Sequence, residues 1–219
     1  MITATTITTI SALKGRANME NIKMSAPAYI HKGANSTSSI SLKDELLSKR
    51  IILITGEIND ETAVNAFMSF GYLTQSPEPI KIVINSGGGK VNSGQVIYDF
   101  MQGCKNEVHT VCLGNCSSMA AVLLAAGTKG HRYILPHSEV MIHEVLIGNG
   151  IGGSATSISK ISQSINETRD IMNGILAKHT GKTIEEINEA TSFDNFMNAE
   201  QAVEFGICDR IITNIFEEV

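Results

Sequence analysis

The sequence predicts an α/β domain whose strands run largely parallel. Two observations carry that expectation. A β-branched run, a glycine turn and a helical stretch follow one another three times between Arg50 and Ala126, the rhythm of strand-to-helix crossovers. With 219 residues, 42% of them hydrophobic and 18% charged, the chain can build one sizeable core and is marginal for two.

The elements follow in order. "SLKDELLSK" (41–49) reads as a short helix and "RIILITGEI" (50–58) as a buried strand broken by a glycine. A helix is expected over 60–73. "IKIVINSGGG" (80–89) is a second strand ending in glycines, "NSGQVIYDFMQGC" (92–104) a helix and "EVHTVCLGN" (107–115) a third strand, after which Ser118 opens a helix of small apolar residues. "HRYILPHSEVMIHEV" (131–145) predicts two short strands about a turn at Pro136. Beyond the glycine-loaded "LIGNGIGGSA", Ile158, Ile161, Ile165, Met172 and Ile175 recur at helical spacing up to "HTGKT". The length of that helix favours packing against another subunit over packing on its own core. "TIEEINEAT" and "NAEQAVEFGI" are the last helices, the second closed by Gly206 as a C-cap.

Residues 1–40 differ from the rest: they are rich in Thr and Ser, with no acidic residue before Glu20. They read as a poorly ordered arm or propeptide ahead of a single domain over 41–219. A net charge of -5 counts against a phosphate-backbone binder, so nucleic acid is not an expected partner. The longest apolar run, Met119 to Ala126, is far short of the roughly 18 residues a membrane span needs, so no membrane partner is expected either. Cys104, Cys112, Cys116 and Cys208 form no CxxC pair and no metal-ligand rhythm with histidine. Reduced thiols, no metal and a cytoplasmic location are the expectation.

In a parallel sheet the site forms from loops at the carboxyl ends of the strands, and two of these loops carry chemistry. "GNCSSMAAVLLAAG" (114–127) puts Cys116, Ser117 and Ser118 at the mouth of a helix. It lacks the GxSxG spacing, which disfavours an α/β-hydrolase, and a serine at a helix start is more often a cap than a nucleophile. "INSGGGKVNSG" (84–94) offers backbone N–H groups but is not a phosphate loop, because Ile84 and Val91 stand where Gly and Ser or Thr would be required. His143, in the apolar "VMIHEVL", has the context of a satisfied core histidine as well as of a base. Asp194, in "TSFDNFM", lies between two helices, where an acid usually caps or is solvated. The residues permit a Ser/His/Asp relay without compelling it.

Taken in order, "INSGGG", "IYDFMQ", "SSMAAVLLAAGTKGHRYILPHSEVMIH", "HTGKT" and "NAEQAVEFGICD" resemble the ClpP family, the proteolytic subunits of Clp proteases, from about Leu42 to Thr213 with a short apparent insertion in "LIGNGIGG". The resemblance implies a ClpP/crotonase-like fold of repeated ββα units with a long handle helix. It implies a serine endopeptidase with Ser118 as nucleophile, His143 as base and Asp194 as orienting acid; Asn195, where the family usually has Arg, is the fallback for the third position. Gly89 and Met119 would supply the oxyanion N–H groups. It further implies a homo-oligomer of two stacked seven-membered rings, a tetradecamer joined through the helix carrying "SISKISQSINETRDIMNGIL". Polypeptide would be degraded inside the chamber, fed by an AAA+ unfoldase of the Clp type. No cofactor is implied for this chain, since the unfoldase uses the ATP.

The chain departs from the family at three places. Gly87 replaces a proline, Glu144 follows the histidine where the family has Gln, and no axial-loop pattern stands upstream of Ser41. Neighbours on a strand face opposite ways, so His143 and Glu144 are not expected to meet. These departures keep a weakly active or structural ring subunit, assembled with a catalytic paralogue, as the alternative. A crotonase-type acyl-CoA enzyme would share the fold but would not require the Ser118, His143 and Asp194 set.

Overall fold

The computed structural model describes residues 28–32, 37–148, 150 and 152–216. The chain divides after Leu42 into two units. In the first, β1 (Ala28–Lys32) pairs antiparallel with β2 (Thr37–Ser41), where the sequence predicted no regular structure. The remainder of the expected arm lies outside the described residues.

The second unit begins in α1 (Leu42–Ser48) and enters the predicted alternation: β3 (Ile51–Thr55), α2 (Asp60–Leu73), β4 (Ile80–Ser86), α3 (Val91–Gly103), β5 (Val108–Ser117) and α4 (Met119–Ala125). Next come β6 (Arg132–Ile134), β7 (Glu139–Ile142), α5 (Ala155–Thr180), α6 (Ile184–Thr191), β8 (Asn195–Met197), α7 (Ala199–Phe205) and β9 (Arg210–Ile211). Strands β3, β4, β5, β6 and β9 are neighbours in that order and run parallel, as right-handed crossovers through helices require. β5 is the longest strand and is shared along its length. Its first half pairs with β6 and its last three residues, Asn115 to Ser117, with β7.

Alternation along the strands splits the core. Ile52, Ile54, Ile82, Ile84 and Cys112 face one way, into the main cluster with Phe70, Ile97 and the whole of α4. Ile51, Val83, Val111 and Tyr133 face the other way, with Leu46 and Ile215 packed against them. β5 can carry the site because it is central and buried on both sides.

Helix boundaries have identifiable causes. Asn59 caps α2 by accepting from the Thr62 N–H at 3.0 Å. Thr183 and Asn198 open α6 and α7 with reciprocal capping boxes, and Gly206 closes α7 in the left-handed conformation expected of it. α5 is 26 residues long, about 39 Å at helical rise. Of its predicted stripe only Met172 is buried; Ile158 is 43% and Ile161 38% exposed, so the first half of this helix presents an apolar face that its own unit does not cover.

His179, in the last turn of α5, lies 3.1 Å from the Tyr98 hydroxyl. Burial, helped by the nearby Lys178 and Arg132 charges, pushes its pKa down to about 4. In the unfolded chain the ring titrates near 6.5, so between these values the unfolded state binds more protons and stability falls as the pH is lowered through the window. The urea midpoint is expected to drop between pH 7 and pH 4.5, and His179→Gln to remove part of that slope. An unchanged slope in the variant would mean that His179 binds protons alike in the folded and unfolded chain and that the slope comes from other groups.

Two histidines outside the predicted site also pack closely. His131 is half-buried and stacks on the buried His109 at 4.1 Å with planes 4° apart, beside Glu107. Parallel ring planes keep their in-plane lone pairs from converging on one point, so the pair is built as a packing contact.

Candidate active site

The site begins with a strained residue. Ser118 joins β5 to α4 at φ 55° and ψ -124°, a conformation that costs a non-glycine residue about 1–3 kcal/mol and persists only where its surroundings impose it. They do so here. The Ser118 N–H donates to the Met141 carbonyl at 2.8 Å, and its own carbonyl accepts from Ala121 and Val122 at 3.0 and 3.3 Å. It caps α4 through its backbone alone and its hydroxyl makes no capping bond, so the ordinary reading of a serine at a helix start does not hold.

The other candidates at this turn are engaged elsewhere. Ser117 is buried and its hydroxyl donates to Asn115 Oδ1 at 2.6 Å. Cys116 is fully buried, and burial pushes its thiol well above the ordinary range, away from the thiolate a nucleophile needs.

Strand register brings up the other two groups. β7 lies parallel to the end of β5, with Ser117 opposite Met141, so His143 emerges just past the level of Ser118. β8 lies antiparallel to β7, with Val140 opposite Met197 and Ile142 opposite Asn195. One more step of the same register sets Asp194 opposite His143, and there His143 Nδ1 meets Asp194 Oδ1 at 3.1 Å. A carboxylate only accepts, so this bond assigns the proton to Nδ1 and leaves Nε2 with its lone pair. Asn195 turns away and donates to the Ala190 carbonyl at 3.2 Å. The sequence placed Asp194 in a loop and missed β8. Three residues are too few to show a period, although Phe196 exposed beside Met197 buried is the alternation a strand would show.

A cleft of about 520 Å³ has Ser118, Met119, His143, Gly87 and Gly89 on its walls and Val122, Met172 and Leu176 at its apolar end. A cavity of similar size, about 490 Å³, between β3 and α2 holds no histidine or cysteine. Met119 is the first residue of α4, so its N–H has no partner within the helix, and the Gly89 N–H makes no hydrogen bond among the described residues. Both residues lie on the wall of the cleft that Ser118 lines.

The glycines are required by approach as well as by backbone angle. At Gly88, φ +92°, an added Cβ would lie 2.8 Å from the Ser117 carbonyl oxygen and from Ser118 Cβ; at Gly89, φ +151°, it would overlap the Ile58 carbonyl. Gly88→Ala is expected to displace the serine turn and lower kcat about 100-fold with the fold retained, measured with a fluorogenic peptide beside circular dichroism. A variant with unchanged kcat would show that the loop has room to move.

Glu144 also lines the cleft, although no contact joins its carboxylate to His143 among the described residues. β7 ends at Ile142, so the period of two no longer governs the next residues, and the Glu144 N–H instead bonds to the Thr191 carbonyl at 2.7 Å. Among the described residues, the carboxylate bonded to His143 is that of Asp194.

Among the described residues no helix is long and apolar enough to cross a membrane. The Clp protease family model matches residues 33–215. An ATP-dependent Clp protease proteolytic subunit of Ligilactobacillus salivarius (strain UCC118) is 41% identical over 190 residues, which cover 86% of this chain and 95% of the relative. Family membership implies an oligomeric proteolytic subunit that works with Clp ATPases, and a serine peptidase without a cofactor of its own. With the model matched over most of its length and a relative this similar, the chain belongs to the Clp protease family and is a Clp-type serine peptidase subunit.

Proposed function

We propose that this subunit cleaves unfolded polypeptide with Ser118 as nucleophile, His143 as general base and acid, and Asp194 as the orienting carboxylate. The observation that carries the reading is the His143 Nδ1 to Asp194 bond on the wall of the cleft that Ser118 also lines. Asp194 fixes the tautomer, and Nε2 takes the proton of Ser118 as its oxygen attacks the peptide carbonyl. The Gly89 and Met119 N–H groups stabilise the oxyanion, and each donor of this kind contributes about 3 kcal/mol to transition-state binding. His143 then returns the proton to the leaving amine, and water repeats the sequence on the acyl-enzyme.

The rest of the assignment rests on the family and on α5. The exposed Ile158 and Ile161 are suited to pack against another copy, joining two seven-membered rings into a chamber that an AAA+ unfoldase of the Clp type feeds. The free state of all four cysteines fits a reducing, cytoplasmic compartment. A fluorophosphonate probe tests the reading: the adduct should map to Ser118 on a particle of tetradecamer mass. A particle of that mass that never labels would favour a structural ring subunit.

A further inference from the structure

Glu57 and Glu144 both line the cleft, Glu57 just before the residue that bridges to Gly89 and Glu144 just after His143. Glu57 is held on the glycine wall: the next residue, Ile58, is fully buried and bridges to Gly89, donating to the Gly88 carbonyl and accepting from the Lys90 N–H, both at 2.8 Å. Glu144 is held on the histidine wall through its backbone, its N–H bonded to the Thr191 carbonyl at 2.7 Å and the following Val145 packed on the core. Neither carboxylate has an ion-pair partner among the described residues.

The cleft's own cation, Lys90, is held chiefly by Asp60 and feels Glu57 more weakly. Lys90 Nζ bonds to Asp60 at 2.9 Å, and Asp60 also accepts from the buried Ser93 hydroxyl at 2.7 Å. His143 directs its protonated nitrogen to Asp194. The cleft therefore carries two carboxylates outside any ion pair, Glu57 near a lysine that Asp60 already holds and Glu144 beside His143.

We propose that Glu57 and Glu144 select the substrate, each accepting the ammonium or guanidinium of a lysine or arginine beside the scissile bond, so that sequences with flanking basic residues are preferred over those with acidic ones. This rests on the peptidase reading of the same cleft. Partly exposed pairs are individually weak, so the effect arises from attraction at both walls for a basic peptide and repulsion at both for an acidic one.

The test uses three labelled peptides, identical except for Lys, Gln or Glu on both sides of one apolar residue. Binding to the assembled full-length Ser118→Ala protein is read by anisotropy, and kcat/KM is read on the unsubstituted protein. At low salt the Lys peptide should bind about tenfold tighter than the Glu peptide. The ratio should shrink at 0.5 M salt and approach one in Glu57→Gln/Glu144→Gln. A ratio near one in the parent, or one that survives the double substitution, overturns the proposal. Absent cleavage with a full binding ratio would instead overturn the peptidase reading and leave the charge selection standing.

Discussion

Ser118→Ala is expected to lower kcat on a quenched-fluorescent peptide by about 10⁶ and to abolish fluorophosphonate labelling. The size follows from what is left behind. Without the hydroxyl, His143 has no proton to take, and only the oxyanion donors and substrate binding remain. Ser117→Ala is the matched control: it removes a 2.6 Å bond to Asn115 within the same turn, so a change below tenfold is expected, with about 1 kcal/mol of stability lost. Asp194→Asn should lower kcat about 10⁴-fold, because an amide facing Nδ1 no longer fixes the tautomer. If the three groups act as the proposed unit, Ser118→Ala/Asp194→Asn should be no slower than Ser118→Ala alone. More than 1% of parental activity in Ser118→Ala would move the nucleophile elsewhere, and a further drop in the double variant would mean that Asp194 acts independently of the serine.

Local signals were legible where they were dense. α2 carried its own cap and first-turn acids, and its bounds were read directly as 60–73. The three strand-turn-helix repeats were equally plain, because each pairs a β-branched run with a glycine. The site was legible only in pieces. Nothing local separates Ser118 from a capping serine; what does so is the positive φ, imposed by Met141 across the sheet. The meeting of His143 with Asp194 depends on β8, whose three residues are defined by their partner strand and not by their own pattern. That Glu144 lines the same cleft as His143 was hidden because β7 ends at Ile142 and a period of two does not govern the residues beyond it. Non-local register is the information that a pass along the chain lacks.

Register is also silent about the strongest polar contact outside the site, and that contact leads to the largest expected change in stability. Arg132, 4% exposed in its side chain, pairs with Asp209, 17% exposed, across 77 residues of sequence. Asp209 Oδ2 also accepts from the N–H groups of Gly130 and Arg132 at 2.8 and 3.0 Å. The remaining guanidinium nitrogen reaches the His179 carbonyl at 2.8 Å and the Ala125 carbonyl at 3.3 Å. One buried cation thus ties the ends of α4 and α5 to the start of β6 and to the turn after α7. Asp209→Asn leaves that cation without its counter-charge, which for a buried pair costs about 3–5 kcal/mol, or roughly 10 °C in Tm for a chain of this size. Urea midpoints at equal protein concentration measure it, since assembly adds its own stability. Burial alone would raise the Asp209 carboxyl, but the Arg132 bonds and charge outweigh it and hold it below the usual aspartate range. Its contribution is therefore present above about pH 4 and lost as the pH falls further, through the depressed folded value. Asp209→Asn should lack that part of the acid limb. Arg132→Met/Asp209→Leu should recover most of the loss at neutral pH, because it removes the charge along with its partner. A double variant as unstable as Asp209→Asn would show that the geometry of the hydrogen bonds, and not the charge, is what holds these four elements together.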